Sequence, residues 1–340
     1  METKKKKKLS SVTFLLMITI GLFLVMYIAG MIAFADKGFA KPQMFFNLFI
    51  SNAGLIVIGC GLTIVMITGG IDISVGSVTA LVCMTAADLM QNKGMSAYTA
   101  LAAALTIGLL FGLVQGYLIA YMEIQPFIIT LAGLFFGRGM TAVVSTDMIA
   151  IKNSLFLAWA NAKIKLPITY TNKHGAHIPV YIYPTVVVAI IVVILVSVML
   201  KYTKFGRALY ALGGNQQSAV MMGLNVKRVK MSAYLLDGFL AGLGGFLFCL
   251  NSCAGFVEQA KGLEMDAISA AVIGGTLLSG GVGTVIGTLF GVLIKGTIGS
   301  LITTQGTLSS WWVRIVLSAL LCFFIVLQAL ISHLNLKHKK

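Results

Sequence analysis

Residues 201–230, KYTKFGRALYALGGNQQSAVMMGLNVKRVK, carry six of the chain's 25 lysines and arginines and no acid, inside a sequence that is otherwise apolar for long stretches. Basic residues collect in the cytoplasmic loops of membrane proteins, so this one segment orients every span around it. Composition agrees: 58% hydrophobic residues, 10% charged, 37 glycines and a mean hydropathy of +0.96 describe a polytopic membrane protein rather than a soluble fold. The net charge of +15 is concentrated, with 14 of the 25 basic residues in Lys4 to Lys8, in residues 201–230 and in Lys337, Lys339 and Lys340. Two tails and one loop make a topology signal, not a nucleic-acid footprint, and nucleic acid is excluded as a partner on that distribution.

Apolar runs of about 20 residues are needed to cross the hydrocarbon core. They lie near residues 12–34, 47–67, 75–91, 97–121 and 126–146, and again near 181–200, 231–256, 266–279, 283–304 and 311–332. An all-α polytopic protein of about ten transmembrane helices, some broken, is therefore expected. It reads as one membrane domain over 1–340, with tails 1–11 and 333–340 and loop 201–230 cytoplasmic and loop 147–180 outside. The run at 266–279 is short for a full span and suits a broken or tilted element. Ala33, Phe34 and Ala35 resemble a signal cleavage site, but the preceding apolar run is longer than the h-region of a signal peptide, which favours a retained first span.

Five cysteines, Cys60, Cys83, Cys249, Cys253 and Cys322, fall in predicted spans without a CxxC pair, so small apolar packing is expected. Cys249 and Cys253 stand four apart with no ligand pair at metal spacing, and His174 and His177 read as loop histidines. Ionisable residues within spans mark function more often, and here they are Asp72, Asp88, Asp237, Arg138 and Lys295. Asp88 and Arg138 lie close enough to span ends to reach the interface.

Asp72 stands in ITGGIDISVGS (67–77), where Gly69 and Gly70 interrupt an apolar run and Ser74, Gly76 and Ser77 follow. Paired glycines loosen a helix and free backbone groups that need partners, as in broken helices lining transport paths. Asp72 equally suits a cap on the next helix, and both readings stand. GGTLLSGGVGTVIGTL (274–289) echoes it, with Gly274, Gly275, Ser279, Val282, Gly283 and Thr284 against Gly69, Gly70, Ser74, Val75, Gly76 and Ser77. Glycine-rich sequence also matches itself by chance, and both segments run in the same direction, so an inverted repeat is not supported.

No Gly-Lys dipeptide occurs, so a GxxxxGK[ST] phosphate loop is impossible, and no nucleophile has an adjacent histidine base. The chain reads as a non-enzyme without a cofactor of its own. Within 201–230, Phe205, Ala208, Leu209 and Leu212 recur at helical spacing, Gly213 and Gly214 end that helix, and Asn215 caps a second over Gln216–Met222, closed by Gly223. Two short helices around a glycine turn suit a knuckle that fits a partner's groove. Lying on acidic lipid is the weaker alternative, because the glycine pair breaks a continuous apolar stripe.

At these residues the chain resembles the permeases of ribose and simple-sugar ABC importers. GRALYALGGNQQSAVMMGLNVKRVK is similar to their cytoplasmic coupling segment and ITGGIDISVGS to their membrane signature. IQPFIITLAGLFFGRGM (124–140) and EMDAISAAVIGGTLLSGGVGTVIGTLFG (264–291) resemble two further family patterns. GTLSSWWVRI (306–315) is similar to permeases of galactofuranose importers. The resemblance implies a ten-helix permease of the vitamin B12 importer type in a bacterial plasma membrane. Its implied partners are an ABC ATPase subunit that binds the ATP, a second permease, a soluble sugar-binding protein, membrane lipid and a sugar.

Carried over by residue, Gly206, Arg207, Ala208, Gly213, Gly214, Asn215 and Gly223 are implied to couple to the ATPase. Gly69, Gly70, Asp72, Ser74, Gly76, Ser77, Thr130, Arg138, Asp266, Gly274 and Gly275 are implied to belong to the membrane signature or the path. Lys295, and Gln216 and Gln217 where the family often carries an acid, depart from its pattern. The expectation is half of an ATP-driven sugar path. An ion-coupled carrier relaying through Asp72 and Asp237 is the alternative, and a membrane receptor or scaffold is a third, weaker one.

Overall fold

The structure, a computed structural model, describes residues 11–171, 177–309 and 311–337. Helix α1 (Ser11–Ala33) precedes α2 (Pro42–Ile67), which opens on a proline where no N–H is required. Then come α3 (Val75–Gln91), α4 (Ala97–Ala120) and α5 (Pro126–Val144), with the Ser96 hydroxyl accepting from the Thr99 N–H at the start of α4. A segment of β1 (Ile149–Ala150), α6 (Ser154–Asn161), β2 (Ile164–Thr171) and β3 (His177–Ile182) leads to α7 (Pro184–Tyr202), α8 (Lys204–Gly214) and α9 (Gln216–Met221). The chain continues with α10 (Val226–Ser252), β4 (Ala254–Gly255), α11 (Leu263–Ile273), α12 (Val285–Gln305) and α13 (Trp311–Lys337). Strands β2 and β3 form an antiparallel hairpin, and β1 pairs antiparallel with β4.

Among the described residues eight helices are long and apolar enough to cross a membrane, against the ten expected; α3 is a shorter apolar helix, and α11, with Glu264 and Asp266 in its first turn, stands at the position of the tenth. Several boundaries differ from the sequence reading. The run expected at 266–279 is helical only as Leu263–Ile273, because Gly275 at φ +90° stops it. The span expected from 231 begins at Val226, where the Asn225 side chain accepts from the Arg228 N–H at 3.0 Å. The stretch 147–180 is not plain loop: it holds α6 and most of the hairpin, and His177 opens β3. Helix α13 runs into the expected tail as far as Lys337. His174, Lys4 to Lys8, Lys339 and Lys340 lie outside the described residues.

Helices α2 and α10 form the centre: 83% of the apolar window of α2 is buried, against 17% for α5, which therefore belongs to the perimeter. Without a hydrophobic drive between helices in lipid, close packing must hold them together. Glycine provides it where α4 crosses α10, since a methyl group on Gly242 would come within 2.5 Å of the Ala104 carbonyl and one on Gly108 would overlap that of Gly238. Outward apolar side chains such as Leu110, Phe135, Val143 and Leu195 remain exposed, as a lipid-facing perimeter requires. Cys60, Cys83 and Cys249 pack in the interior, whereas Cys253 lies just past α10 at φ +49° and Cys322 is exposed on α13.

The connections sort into two ends. At one, Lys37 donates to the carbonyls of Thr304 and Gln305 at 3.2 and 3.1 Å, and the Lys152 N–H donates to the Gln91 side chain at 2.6 Å. There too the Gln43 amide donates to the Tyr181 carbonyl at 3.1 Å and accepts from the Tyr181 N–H at 3.0 Å, tying the hairpin to the start of α2. At the other end Lys230 donates to the Gln216 side chain at 2.9 Å and Lys227 pairs with Glu123 at 3.4 Å.

Candidate functional site

The segment 201–230 folds as its periodicity predicts. The Thr203 hydroxyl accepts from the Gly206 N–H at 3.0 Å to start α8, and Ala208, Leu209 and Leu212 turn inward while Arg207 stays exposed, reaching the Tyr202 carbonyl at 3.4 Å. Gly206 sits on the Leu200 backbone with no room for a side chain. Asn215 caps α9 by accepting from the Ser218 N–H at 2.9 Å, and Gly223 at φ +78° closes it. Gln216, one of the two glutamines that depart from the family's pattern, takes a proton donor from Lys230 rather than presenting an acid.

The end of α8 is where the chain's glycine pairs meet. The Gly281 N–H donates to the Ile67 carbonyl at 2.8 Å, so the break after α11 is hydrogen-bonded to the last turn of α2. Gly213 lies directly over that bond: a side chain there would overlap the Ile67 carbonyl and come within 2.5 Å of the Gly281 nitrogen. Gly280, at φ +85°, lies against the Gly69 backbone, and Gly281, at φ +75°, against the Gly214 backbone. The Tyr210 hydroxyl donates to the Gly283 carbonyl at 2.7 Å, and burial pushes that phenol up from its ordinary value, which keeps its proton in place for the bond. One short helix thus touches both interruptions backbone to backbone. Gly280, Gly281 and Tyr210 were not among the predicted residues, although the second glycine pair was visible in LLSGGVG.

Asp72 heads a second cluster. It is buried and its Oδ1 accepts from both the N–H and the hydroxyl of Ser74 at 2.7 Å, so it shapes the turn into α3, while Ser74 occupies the cap position. Ser74 in turn accepts from the Gln115 amide at 2.8 Å, Ser77 donates to the Ser74 carbonyl at 2.7 Å, and the Tyr234 hydroxyl donates to the Ile71 carbonyl at 3.2 Å. Asp237 from α10 lies fully buried beside the Asp72 carboxyl, where the two carboxyls share a hydrogen bond once one of them carries a proton, and no other described residue satisfies the Asp237 oxygens. Its room comes from Gly61, where any side chain would press on the carboxyl. Asp72 has no acidic partner nearby in sequence, yet the fold supplies one from a distant helix. Gly70 accommodates the Tyr234 hydroxyl, and Gly76 faces the Glu264 carboxyl. The signal that could have revealed Gln115 is its place as the one amide within the apolar run of α4.

The remaining predicted residues do not join these clusters. Thr130 is buried on α5, its hydroxyl turned to the Phe127 carbonyl at 3.5 Å. The Arg138 guanidinium donates to the carbonyls of Val257 and Gln259 at 3.1 and 2.5 Å, fixing the connection before α11 at the hairpin end. Asp266 pairs at 3.2 Å with Lys295, which explains how α12 tolerates that charge. Gly274 lies against the Gly287 backbone, letting α11 and α12 approach closely. Asp88 pairs with Lys93 at 3.0 Å at a helix end.

The family described as branched-chain amino acid transport system / permease component matches residues 44–325. The chain belongs to this family. Among similar proteins, the inner membrane ABC transporter permease protein YjfF of Escherichia coli is 40% identical over 314 residues, covering 92% of this chain and 91% of YjfF. The fructose import permease protein FruG of Bifidobacterium longum is 33% identical over 307 residues, covering 90% and 88%. The ribose import permease protein RbsC of Escherichia coli is 33% identical over 301 residues, covering 87% and 88%. No solved structure matches the chain. Family and relatives together make this permease a multi-pass inner membrane protein of the ribose and simple-sugar ABC importer group, a transport component rather than an enzyme.

Proposed function

We propose that this permease forms half of the membrane path of an ATP-driven importer for a simple sugar and receives force from a separate ATPase through residues 201–230. The observation that carries the reading is the seat of Gly213 over the bond between Gly281 and Ile67, because a push on α8 there reaches both broken elements without a flexible side chain to absorb it. The ATPase docks on the exposed side of α8 and α9, where Val220, Met221 and Met222 form an exposed apolar tip and Arg207 is exposed on α8. That end is cytoplasmic, with both termini, since the two tails and residues 201–230 carry 14 of the 25 basic residues. A second permease completes the path, and a soluble sugar-binding protein delivers to the hairpin end. Galactofuranose is one candidate cargo, on the resemblance of residues 306–315, and the relatives' names extend the class to ribose and fructose.

Arg207→Ala and Asn215→Ala test the coupling assignment: both variants should insert and assemble, and ATP hydrolysis should continue while uptake of the imported sugar falls. Wild-type uptake by both removes the assignment. A second reading, an ion-coupled carrier, draws on the buried meeting of Asp72 and Asp237. Collapse of uptake on adding a protonophore, with ATP maintained, favours that reading over the first.

A further inference from the structure

A groove of about 470 Å³ between α2 and α12 stands apart from the other cavities in the bundle. One of those, between α4 and α5, is lined almost wholly by leucine, phenylalanine and other apolar side chains, and a third lies at the surface beside Glu123, Lys227 and Lys230. The α2–α12 groove presents Asn47, Ser51, Asn52, Lys295, Ser300 and Thr303. These are membrane-embedded positions. Lipid tails offer amides, hydroxyls and an ammonium no hydrogen bonds, so such side chains belong against water, cargo or protein.

Three details show that the space is built. Gly296 sits 2.7 Å, measured from the position a Cβ would take, from the Asn52 amide nitrogen, so a side chain there would displace that amide. A methyl group on Gly299 would meet nothing within 4 Å, so that glycine keeps the groove open. The Lys295 ammonium is held by Asp266 at 3.2 Å, both partly exposed, so the one charged side chain of the groove lining arrives neutralised. The groove occupies the half of α2 and α12 nearer the hairpin end, upstream of the two glycine breaks for a cargo entering there.

We infer that this groove is the cargo-holding surface of the permease and that it takes a neutral polyhydroxylated molecule, the Lys295–Asp266 pair leaving no net charge to hold an anion. The inference rests on the sugar-permease reading for the class of cargo, but not for the groove itself. Amides and hydroxyls supply the mixed donors and acceptors that sugar hydroxyls need, and the paired lysine offers hydrogen bonds without a net positive charge. The volume falls within the range of small-molecule sites.

The test uses cells producing the complete importer. Cys253 and Cys322 are replaced by serine, and Ser300→Cys is compared with Ile191→Cys, an exposed apolar position in the same outer half of the membrane on α7, using a membrane-impermeant cationic thiosulfonate as the probe. Labelling at position 300 should be at least ~10-fold faster than at 191, the contrast between a wet and an apolar surface. It should be slowed by millimolar D-ribose, D-fructose or D-galactose and left unchanged by D-galacturonate. Equal, slow labelling at both positions overturns the groove whatever the importer carries. Fast labelling with no protection and no uptake for any of the three sugars overturns the sugar reading and, with it, the neutral polyol class, while leaving the groove standing. Gly299→Leu gives an independent check, because its side chain has space: the protein should insert and assemble at wild-type levels while uptake drops ~10-fold or more, the scale of a filled site. Undiminished uptake in Gly299→Leu overturns the proposal.

Discussion

The two glycine breaks end their helices alike and then diverge. Gly69 donates to Met66 and Gly70 to Val65; Gly275 donates to Val272 and Thr276 to Ala271, so each helix finishes with the same pair of backward bonds around a glycine at positive φ. After the first break the chain reaches α3 within a few residues and fills the space with Asp72, Ser74 and their partners. After the second it makes a longer turn, closed by the Leu277 N–H on the Val282 carbonyl, whose Gly280 and Gly281 press on α2 and α8. The difference teaches that one stop signal serves two mechanical ends. The first break is stiffened by side chains, the second by backbone contact.

The sharpest way to break that contrast is at the place where both breaks meet α8. Gly213→Val inserts a branched side chain against the Ile67 carbonyl, so uptake should fall below ~1% of wild type, with destabilisation of about 3 kcal/mol or more in thermal unfolding of the detergent-solubilised protein. Normal uptake would dissolve the idea of a backbone clasp. Next, Gly281→Ala adds a Cβ at φ +75° and 2.9 Å from the Gly214 backbone, and should cost about 1–3 kcal/mol in the same measurement. Gly214→Ala, with open space around it, should shift stability by under about 0.5 kcal/mol, and equal losses in the two variants would erase the distinction between clasped and free glycines.

The polar break should respond more gently. Asp72→Asn keeps an acceptor for Ser74 but exchanges the second carboxyl oxygen beside Asp237 for an N–H group, and should lower uptake ~3–10-fold at normal expression, corresponding to about 1 kcal/mol. Wild-type uptake would reduce Asp72 to a turn-former. Asp237→Asn should have the smallest effect, since the amide can donate to the Asp72 carboxyl beside it without bringing a second charge; a thermal midpoint at or above the wild-type value is expected. A large loss there would mean that the carboxyl itself is used.

Hydropathy made the eight long apolar helices and the shorter α3 legible, because burial in lipid selects composition over long runs, whereas the 266–279 run proved to be a short helix bearing two acids. The apolar repeat from Phe205 to Leu212 and the cap at Asn215 located α8 and α9, because their determinants are local in sequence. The glycine echo was aligned one residue off. Sequence matching equates Gly69 with Gly274, whereas the bonding pattern and positive φ equate Gly69 with Gly275. Glycine identity does not say which member of a pair turns left-handed. The meeting of Asp72 with Asp237, of Asp266 with Lys295 and of Gly213 with Gly281 depends on how helices far apart in the chain pack, which no periodicity encodes.

Helix α2 begins by holding the Tyr181 strand through Gln43 and ends by offering the Ile67 carbonyl to Gly281 beneath Gly213. At 1.5 Å per residue its 26 residues span about 39 Å, the thickness of a bilayer with part of its headgroups. A single largely buried rod therefore has a grip on each face of the membrane. Thermodynamic reciprocity then applies to it as to any two-site body: whatever free energy a ligand at the hairpin spends in shifting this rod, a ligand at α8 must feel in return, so occupancy on one face is legible on the other without any separate messenger.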